Sequence, residues 1–126
     1  MTGKGTGPAV LIYRVPAMSR PGAALRRYLR QEGIRAVEVS SGDGGRSVGA
    51  LLGLRKDAAA GTADLPDHPV LVLSGLGERS LDRLLDFLRR ECPVELKAVA
   101  TPTNLSWSFA RLAGELAREH TQLHSK

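Results

Sequence analysis

Two turns that follow strand-like segments carry most of the polar groups that could do chemistry. Residues 101–107, Thr-Pro-Thr-Asn-Leu-Ser-Trp, place hydroxyl and amide groups beside the single tryptophan of the chain. Ser74-Gly-Leu-Gly77 leads from an apolar run into a helical pattern. The amides and dipole of a helix N-terminus attract anions, so this turn is a candidate anion cradle. We favour a simpler role, in which Gly75 and Gly77 permit a tight turn, because the full dinucleotide-binding fingerprint is absent.

The residues of the 101–107 turn each have a local role as an alternative to binding. Thr101, Thr103 and Asn104 can contact a ligand, but these residue types commonly make turn and cap hydrogen bonds. Trp107 is either an anchor for a protein partner or, more often, a cover over the core at a helix entry. The peptide bond before Pro102 is open to either isomer, with trans the commoner form.

Lys97 and Arg14 are the charged candidates for a binding site. Lys97 lies inside the fourth predicted strand, which we expect at a sheet edge. A lysine in that position usually blocks edge-to-edge aggregation, and a functional lysine is the minority interpretation. Arg14 lies near the end of the first predicted strand, where it would frame a crevice together with the two turns.

No catalytic or metal-binding pattern emerges from the sequence. The histidines fall in a loop and near the C-terminus, and Cys92 ends a predicted helix away from them. These positions support neither a nucleophile and base pair nor a metal cluster. We therefore predict no catalytic residue, no metal and no cofactor.

Composition limits the class of protein. A chain of 126 residues with 42% apolar and 25% charged residues is typical of one globular domain. It contains no apolar run near the roughly 20 residues of a membrane helix, and its N-terminus lacks the apolar core of a signal peptide. With one cysteine it cannot form an internal disulfide, so a cytoplasmic protein is the simplest expectation.

The net charge of +5 invites a nucleic-acid interpretation. Acidic residues are interleaved with the arginines, as at Asp82, Asp86 and Glu91, and only 4% of residues are aromatic. A base-stacking platform needs more aromatic side chains than this. We therefore consider nucleic acid an unlikely partner and expect a solvated, arginine-rich surface.

Hydrophobic periodicity and turn residues predict four strands alternating with four helices. Ser19 and Ser47 are the expected N-caps of the first two helices, and Pro21 fits the first helical turn. We expect residues 1–8 to be disordered, 9–120 to form one domain, 55–68 to be a linker and 121–126 to fray. The predicted strands lie at residues 10–15, 34–39, 69–73 and 94–100, and the helices at 22–32, 47–54, between Gly77 and Pro93, and from Phe109 to His120.

The two halves of the chain, about 9–54 and 69–118, resemble each other. Three segments recur in the same order at a spacing near 60 residues: 10–13 and 70–73, 25–30 and 84–89, and 47–53 and 108–114. This pattern indicates an internal duplication, with a chance match of Leu, Arg and Ala as the alternative.

The alternation predicts a three-layer α/β fold with a four-stranded, mainly parallel sheet in the order 2-1-3-4. Ligands of such open sheets bind outside the carboxyl ends of the strands. We therefore expect three segments to meet at the carboxyl ends of the strands: Tyr13-Arg14, Ser74–Gly77 and Thr101–Asn104.

The second half also resembles a known family. The runs Val70-Leu-Val-Leu-Ser-Gly75 and Lys97-Ala-Val-Ala-Thr-Pro-Thr-Asn-Leu-Ser-Trp107 are similar to the bacterial family catalogued as domain of unknown function 3783. The first half resembles it only loosely. The family brings no established activity, so no catalytic residue is carried over. The resemblance implies that these positions belong to its signature: Lys97, Thr101, Pro102, Thr103, Asn104 and Trp107.

Two hypotheses of function follow. The preferred one is a non-enzymatic module for ligand binding, regulation or interaction that uses the turns at Ser74–Gly77 and Thr101–Trp107. The alternative is a small enzyme acting on an anionic or phosphorylated substrate, with Lys97 supplying the charge. An anionic small molecule or a protein is the expected partner, no membrane is involved, and a homodimer remains open.

Overall fold

The structure is a computed structural model that describes residues 7–54 and 63–124, with side chains as far as Thr121. Parts of three predicted segments lie outside the described residues: residues 1–6 of the 1–8 segment expected to be disordered, residues 55–62 of the expected linker, and residues 125–126 of the expected frayed end. In the described part, four strands alternate with four helices, and a short 3-10 turn precedes α2 and another precedes α4. These are β1 (Ala9–Tyr13), α1 (Arg20–Gln31), β2 (Arg35–Val39), α2 (Val48–Leu51), β3 (Val70–Ser74), α3 (Glu78–Glu91), β4 (Leu96–Val99) and α4 (Phe109–His124).

The strands form one sheet in the predicted order β2-β1-β3-β4. β1 runs parallel to β2, and β3 runs parallel to β4, but β1 and β3 are antiparallel. The prediction of a mainly parallel sheet is therefore wrong, and the sheet is mixed. A strand buried on both faces is a continuous apolar run whichever way it points, so composition could not fix the direction of β3.

Helices cover both faces of the sheet, which makes the fold three-layered as predicted. Successive residues of β1 point to opposite faces, so Leu11 and Ile12 enter different cores. Ile12 packs with Leu25 of α1 and Leu84 of α3. Leu11 packs on the other face with residues of α2 and α4, among them Phe109. Burial on two faces fixes the position of β1 and β3 at the centre of the sheet.

Local signals set the ends of the helices. Ser19 caps α1, where its Oγ accepts a hydrogen bond of 3.0 Å from the Gly22 N–H, and Pro21 occupies the first turn. Ser47 caps α2 in the same way, through a bond of 3.0 Å from the Ala50 N–H. Both predicted caps are confirmed. Gly33 follows α1 with a φ of 71°, a left-handed conformation that glycine adopts without a side-chain clash.

β1 ends two residues earlier than predicted because Arg14 has a φ of 59°, which breaks the extended backbone. Leu65, in the described part of the expected linker, packs against the core on the α2 and α4 face. The Thr101–Pro102 bond is trans. α4 continues to His124, beyond the predicted end at residue 120.

Candidate functional site

The antiparallel centre of the sheet separates the turns that were expected to converge. Tyr13 at the end of β1 pairs with Val70 at the start of β3, and Ala9 pairs with Ser74. Arg14 therefore lies at the opposite end of the central strands from Ser74. There its guanidinium forms a 2.7 Å ion pair with Asp67. The predicted crevice between all three turns does not exist. Of these three turns, only Ser74–Gly77 and Thr101–Asn104, which follow the parallel strands β3 and β4, lie at the same end of the sheet.

The polar atoms of the Thr101–Asn104 turn bind one another. The Thr101 N–H donates to the Asn104 Oδ1 at 2.9 Å, and the Asn104 N–H donates to the Thr101 Oγ1 at 3.1 Å. The Asn104 Nδ2 also donates to the Val99 carbonyl at 3.2 Å, and the Asn104 side chain is buried. Pro102 and Thr103 are exposed at the tip of the turn. The geometry thus gives Thr101 and Asn104 a local, structural role.

Trp107 has a similar role. Its side chain is half-buried and packs against the core on the α2 and α4 face. The Arg111 guanidinium lies 4.0 Å from the centre of its ring, a cation–π contact. Its carbonyl accepts a 2.9 Å hydrogen bond from the Val48 N–H, which ties the turn to the first half of the chain. Trp107 covers the core rather than standing out as an exposed anchor.

The Ser74–Gly77 turn requires only one of its glycines. Gly75 has a φ of 74°, and a Cβ there would lie 3.0 Å from the Gly7 carbonyl oxygen. Gly77 is the N-cap residue of α3, with a φ of −70° and open space where a Cβ would be. Ser74 is the half-buried last residue of β3. The turn needs glycine for its backbone, and a helix N-terminus alone does not define an anion site.

Lys97 is the predicted site residue that lines a groove. It lies in the edge strand β4, is half-buried, and donates from Nζ to the Val94 carbonyl at 2.6 Å. A groove of about 390 Å³ runs beside it, between the C-terminal half of α3 and the residues leading into β4. The other residues that line it are mainly apolar: Leu85, Leu88, Arg89, Pro93, Val94 and Glu95.

The charges around this α3–β4 groove leave Lys97 without a carboxylate. Arg89 pairs with Asp86, which also contacts Arg90 at 3.4 Å. Glu95 pairs with His120, with 3.0 Å between Oε1 and Nε2. Among the residues that the structure describes, no carboxylate lies within ion-pair distance of the Lys97 ammonium.

Sequence reasoning missed the groove and a second one near it. The second, of about 250 Å³, brings His68 and His120 together beside Glu95. These residues are far apart in the sequence, and α4, which carries His120, packs against β4. Within residues 7–54 and 63–124, no group of three or more His, Cys, Asp or Glu side chains could hold a metal ion. Cys92 is buried, and burial raises the pKa of its thiol.

The family comparison places this groove in a known sequence class. Residues 69–123 match the family described as domain of unknown function (DUF3783). The match confirms the resemblance seen in the sequence and covers the chain from the residue before β3 into α4, so the α3–β4 groove lies wholly within the DUF3783 segment. No curated protein and no solved structure matches the chain. None of the described helices has the length and apolar character needed to cross a membrane.

Proposed function

We propose that this protein is a non-enzymatic binding module whose binding surface is the α3–β4 groove. One observation carries the proposal. The Lys97 side chain lines a mainly apolar groove, and its ammonium has no carboxylate partner among the described residues. A half-buried cation of this kind gains most from an anionic partner, because the surrounding protein screens the charge less than bulk water does. The ligand that fits combines a carboxylate or similar anion with an apolar part.

The groove favours binding over catalysis. Covalent or acid–base chemistry needs a nucleophile and a base within hydrogen-bond reach of each other. Of the charged residues lining the groove, Glu95 and Arg89 are engaged in ion pairs, and Lys97 contacts a backbone carbonyl. The alternative, a small enzyme acting on an anionic or phosphorylated substrate, uses the same lysine and has no further residue in its support.

A thermal-shift screen tests the proposal. The full chain is screened against apolar carboxylates, phosphorylated metabolites and nucleotides. We expect a stabilising shift with at least one apolar anion that is lost in Lys97→Ala and in Leu85→Arg, which fills the groove. Arg27→Ala removes an exposed charge on α1 and should keep the shift. A shift that survives both groove substitutions would contradict the proposal, and conversion of a bound compound, detected by mass spectrometry, would favour the enzyme.

We also make proposals about the evolutionary origin of the fold and the cellular location of the protein. We infer an internal duplication with a spacing of about 60 residues between matching segments. In its support, the Ser40 N–H donates to the Asp43 carboxylate at 3.0 Å, as the Thr101 N–H donates to the Asn104 Oδ1 at 2.9 Å. A cytoplasmic location agrees with the single cysteine and remains part of the proposal.

A further inference from the structure

We propose that the natural occupant of the α3–β4 groove is an extended acidic peptide segment of another protein, which adds to the free edge of β4 as a fifth strand. The inference rests on the proposed function of the groove. It adds the class of partner and the mode of recognition. Strand addition supplies affinity through main-chain hydrogen bonds, and side-chain pockets next to the edge supply specificity.

The backbone of β4 offers hydrogen-bonding groups for such a strand. The Ala100 N–H donates to the Leu73 carbonyl at 2.8 Å, so Ala100 faces β3. Because successive residues of a strand point their N–H and C=O groups to alternate sides, those of Lys97 and Val99 face away from β3. The Val99 carbonyl already accepts a hydrogen bond from the Asn104 Nδ2. The Lys97 N–H, the Lys97 C=O and the Val99 N–H are left at the edge.

The side chains beside this edge form a shelf suited to apolar residues. Lys97 and Val99 pair with Leu71 and Leu73, whose side chains belong to the core under α1 and α3. Side chains of paired residues lie on the same face of a sheet, so Lys97 and Val99 also face the α3 side. Val99 is 46% exposed, and Leu85 of α3 lines the neighbouring groove. Every second side chain of an added strand would rest on this surface.

Charge complementarity makes the incoming strand acidic. Lys97 has no carboxylate partner among the described side chains, and Glu95, the acidic residue lining the groove, is paired with His120. A second copy of this chain is a poor occupant, since pairing of two β4 edges would bring two Lys97 side chains close together. Lys97 at the edge of the sheet repels basic strands. A strand with an acidic residue opposite Lys97 is attracted instead, so the edge selects acidic strands.

Selection from a peptide library tests the inference on the 126-residue chain. A display library of random linear peptides of about eight residues is panned on the immobilised chain. We expect enriched peptides to combine Asp or Glu with β-branched or aromatic residues. Lys97→Glu should weaken binding of the best synthetic peptide at least about tenfold. Arg27→Glu changes the net charge equally on α1 and should alter binding by less than about twofold.

Two measurements address the main-chain pairing. Val99→Pro removes the outward N–H and leaves the ladder with β3 intact, so it should abolish peptide binding while circular dichroism and Trp107 fluorescence stay native. Amide hydrogen exchange of the wild-type chain provides a readout that needs no variant. Saturating peptide should slow exchange at Lys97 and Val99 and leave Ala36, on the opposite edge strand, unchanged.

The outcomes separate the inference from the proposed function. Binding that is lost in Leu85→Arg but survives Val99→Pro, without added protection at Lys97 and Val99, would show a groove ligand that does not pair as a strand. The strand-addition inference would then be wrong, and the proposed function would stand. Binding unaffected by either Leu85→Arg or Lys97→Glu would overturn both. A library without enriched peptides, or concentration-dependent dimerisation through β4, would also overturn the inference.

Discussion

Ser47 and Ser108 face each other across an antiparallel bridge that joins the two halves of the fold. Around this pair, the Val48 N–H donates to the Trp107 carbonyl at 2.9 Å, and the Phe109 N–H donates to the Arg46 carbonyl at 2.8 Å. The two bonds are equivalent under a shift of 61 residues. The bridge therefore anchors the start of α2 and the start of α4 to each other.

Both serines also act as helix caps, which gives a first prediction. The Ser47 Oγ accepts from the Ala50 N–H and the Ser108 Oγ from the Arg111 N–H, each at 3.0 Å. We expect Ser47→Ala and Ser108→Ala each to lower the free energy of unfolding by about 1 kcal/mol. Urea unfolding followed by Trp107 fluorescence measures the loss. Ser106→Ala, at an exposed side chain with a 3.4 Å bond, is the control and should cost less. Equal stability of all three variants would contradict the capping role.

Gly75 and Gly77 differ sharply in what they tolerate, although they are neighbours in the same turn. Gly75→Ala places a Cβ on a residue with a φ of 74° and close to the Gly7 carbonyl. We expect a loss of about 1–2 kcal/mol in unfolding free energy. Gly77→Ala has open space and an ordinary φ, so it should cost less, about 0.5 kcal/mol, because alanine is a poorer N-cap residue than glycine. Thermal unfolding of both variants checks the contrast, and an equal effect would refute it.

Asn104 should matter for stability more than any other residue of its turn. Asn104→Ala removes the acceptor of the Thr101 N–H and the donor to the Val99 carbonyl, two partly buried hydrogen bonds made by a buried side chain. We expect a loss of about 1 kcal/mol, since water can reach part of the groups that lose their partners. Thr103→Ala, at the exposed tip, should be nearly neutral. Chemical denaturation of the two variants decides whether the turn is structural, and a neutral Asn104→Ala would contradict the hydrogen-bond network described above.

The sequence predicted the parts of this fold that depend on neighbouring residues. Caps such as Ser19 and Ser47 involve bonds over three residues, so a short pattern contains the whole interaction. The order of the strands followed from the expected repeat and from apolar runs that indicated burial on both faces. The direction of β3 did not follow, because a run such as Val70–Leu73 carries no information about polarity. The left-handed backbone conformation of Arg14 could not be predicted either, because arginine has no preference for that conformation.

The candidate site was only partly predictable for a related reason. Lys97 stood out as a charged residue in an apolar strand, and the structure places it beside a groove. The groove depends on how far α3 lies from the edge of the sheet, which no local pattern encodes. Thr101 and Asn104 were predicted to contact a ligand because their side chains are polar. In the structure, these side chains form hydrogen bonds within the turn itself. Residue type indicated polarity, but only packing shows which polar atoms face a partner.

The buried thiol of Cys92 leads to a prediction about pH. Burial raises its pKa above the ordinary value of 9.0, and burial followed by the charge of Glu32 raises the pKa of Tyr28. Well below the ordinary pKa of 9.0, the thiol is mainly neutral in the folded and unfolded chains. Above it, the unfolded chain ionises first, so stability should fall as the pH rises through the raised folded pKa.

Denaturation at a series of alkaline pH values measures this fall. Cys92→Ala should show a shallower decline than the wild type, and the comparison of slopes removes the cost of the cavity that the alanine leaves. Alkylation by iodoacetamide near pH 8 gives an independent readout, because the thiolate is the reactive form. The chain has one cysteine, so mass spectrometry reports this site alone. The folded protein should react at least about tenfold more slowly than the chain in denaturant, and equal rates would contradict a buried, neutral thiol.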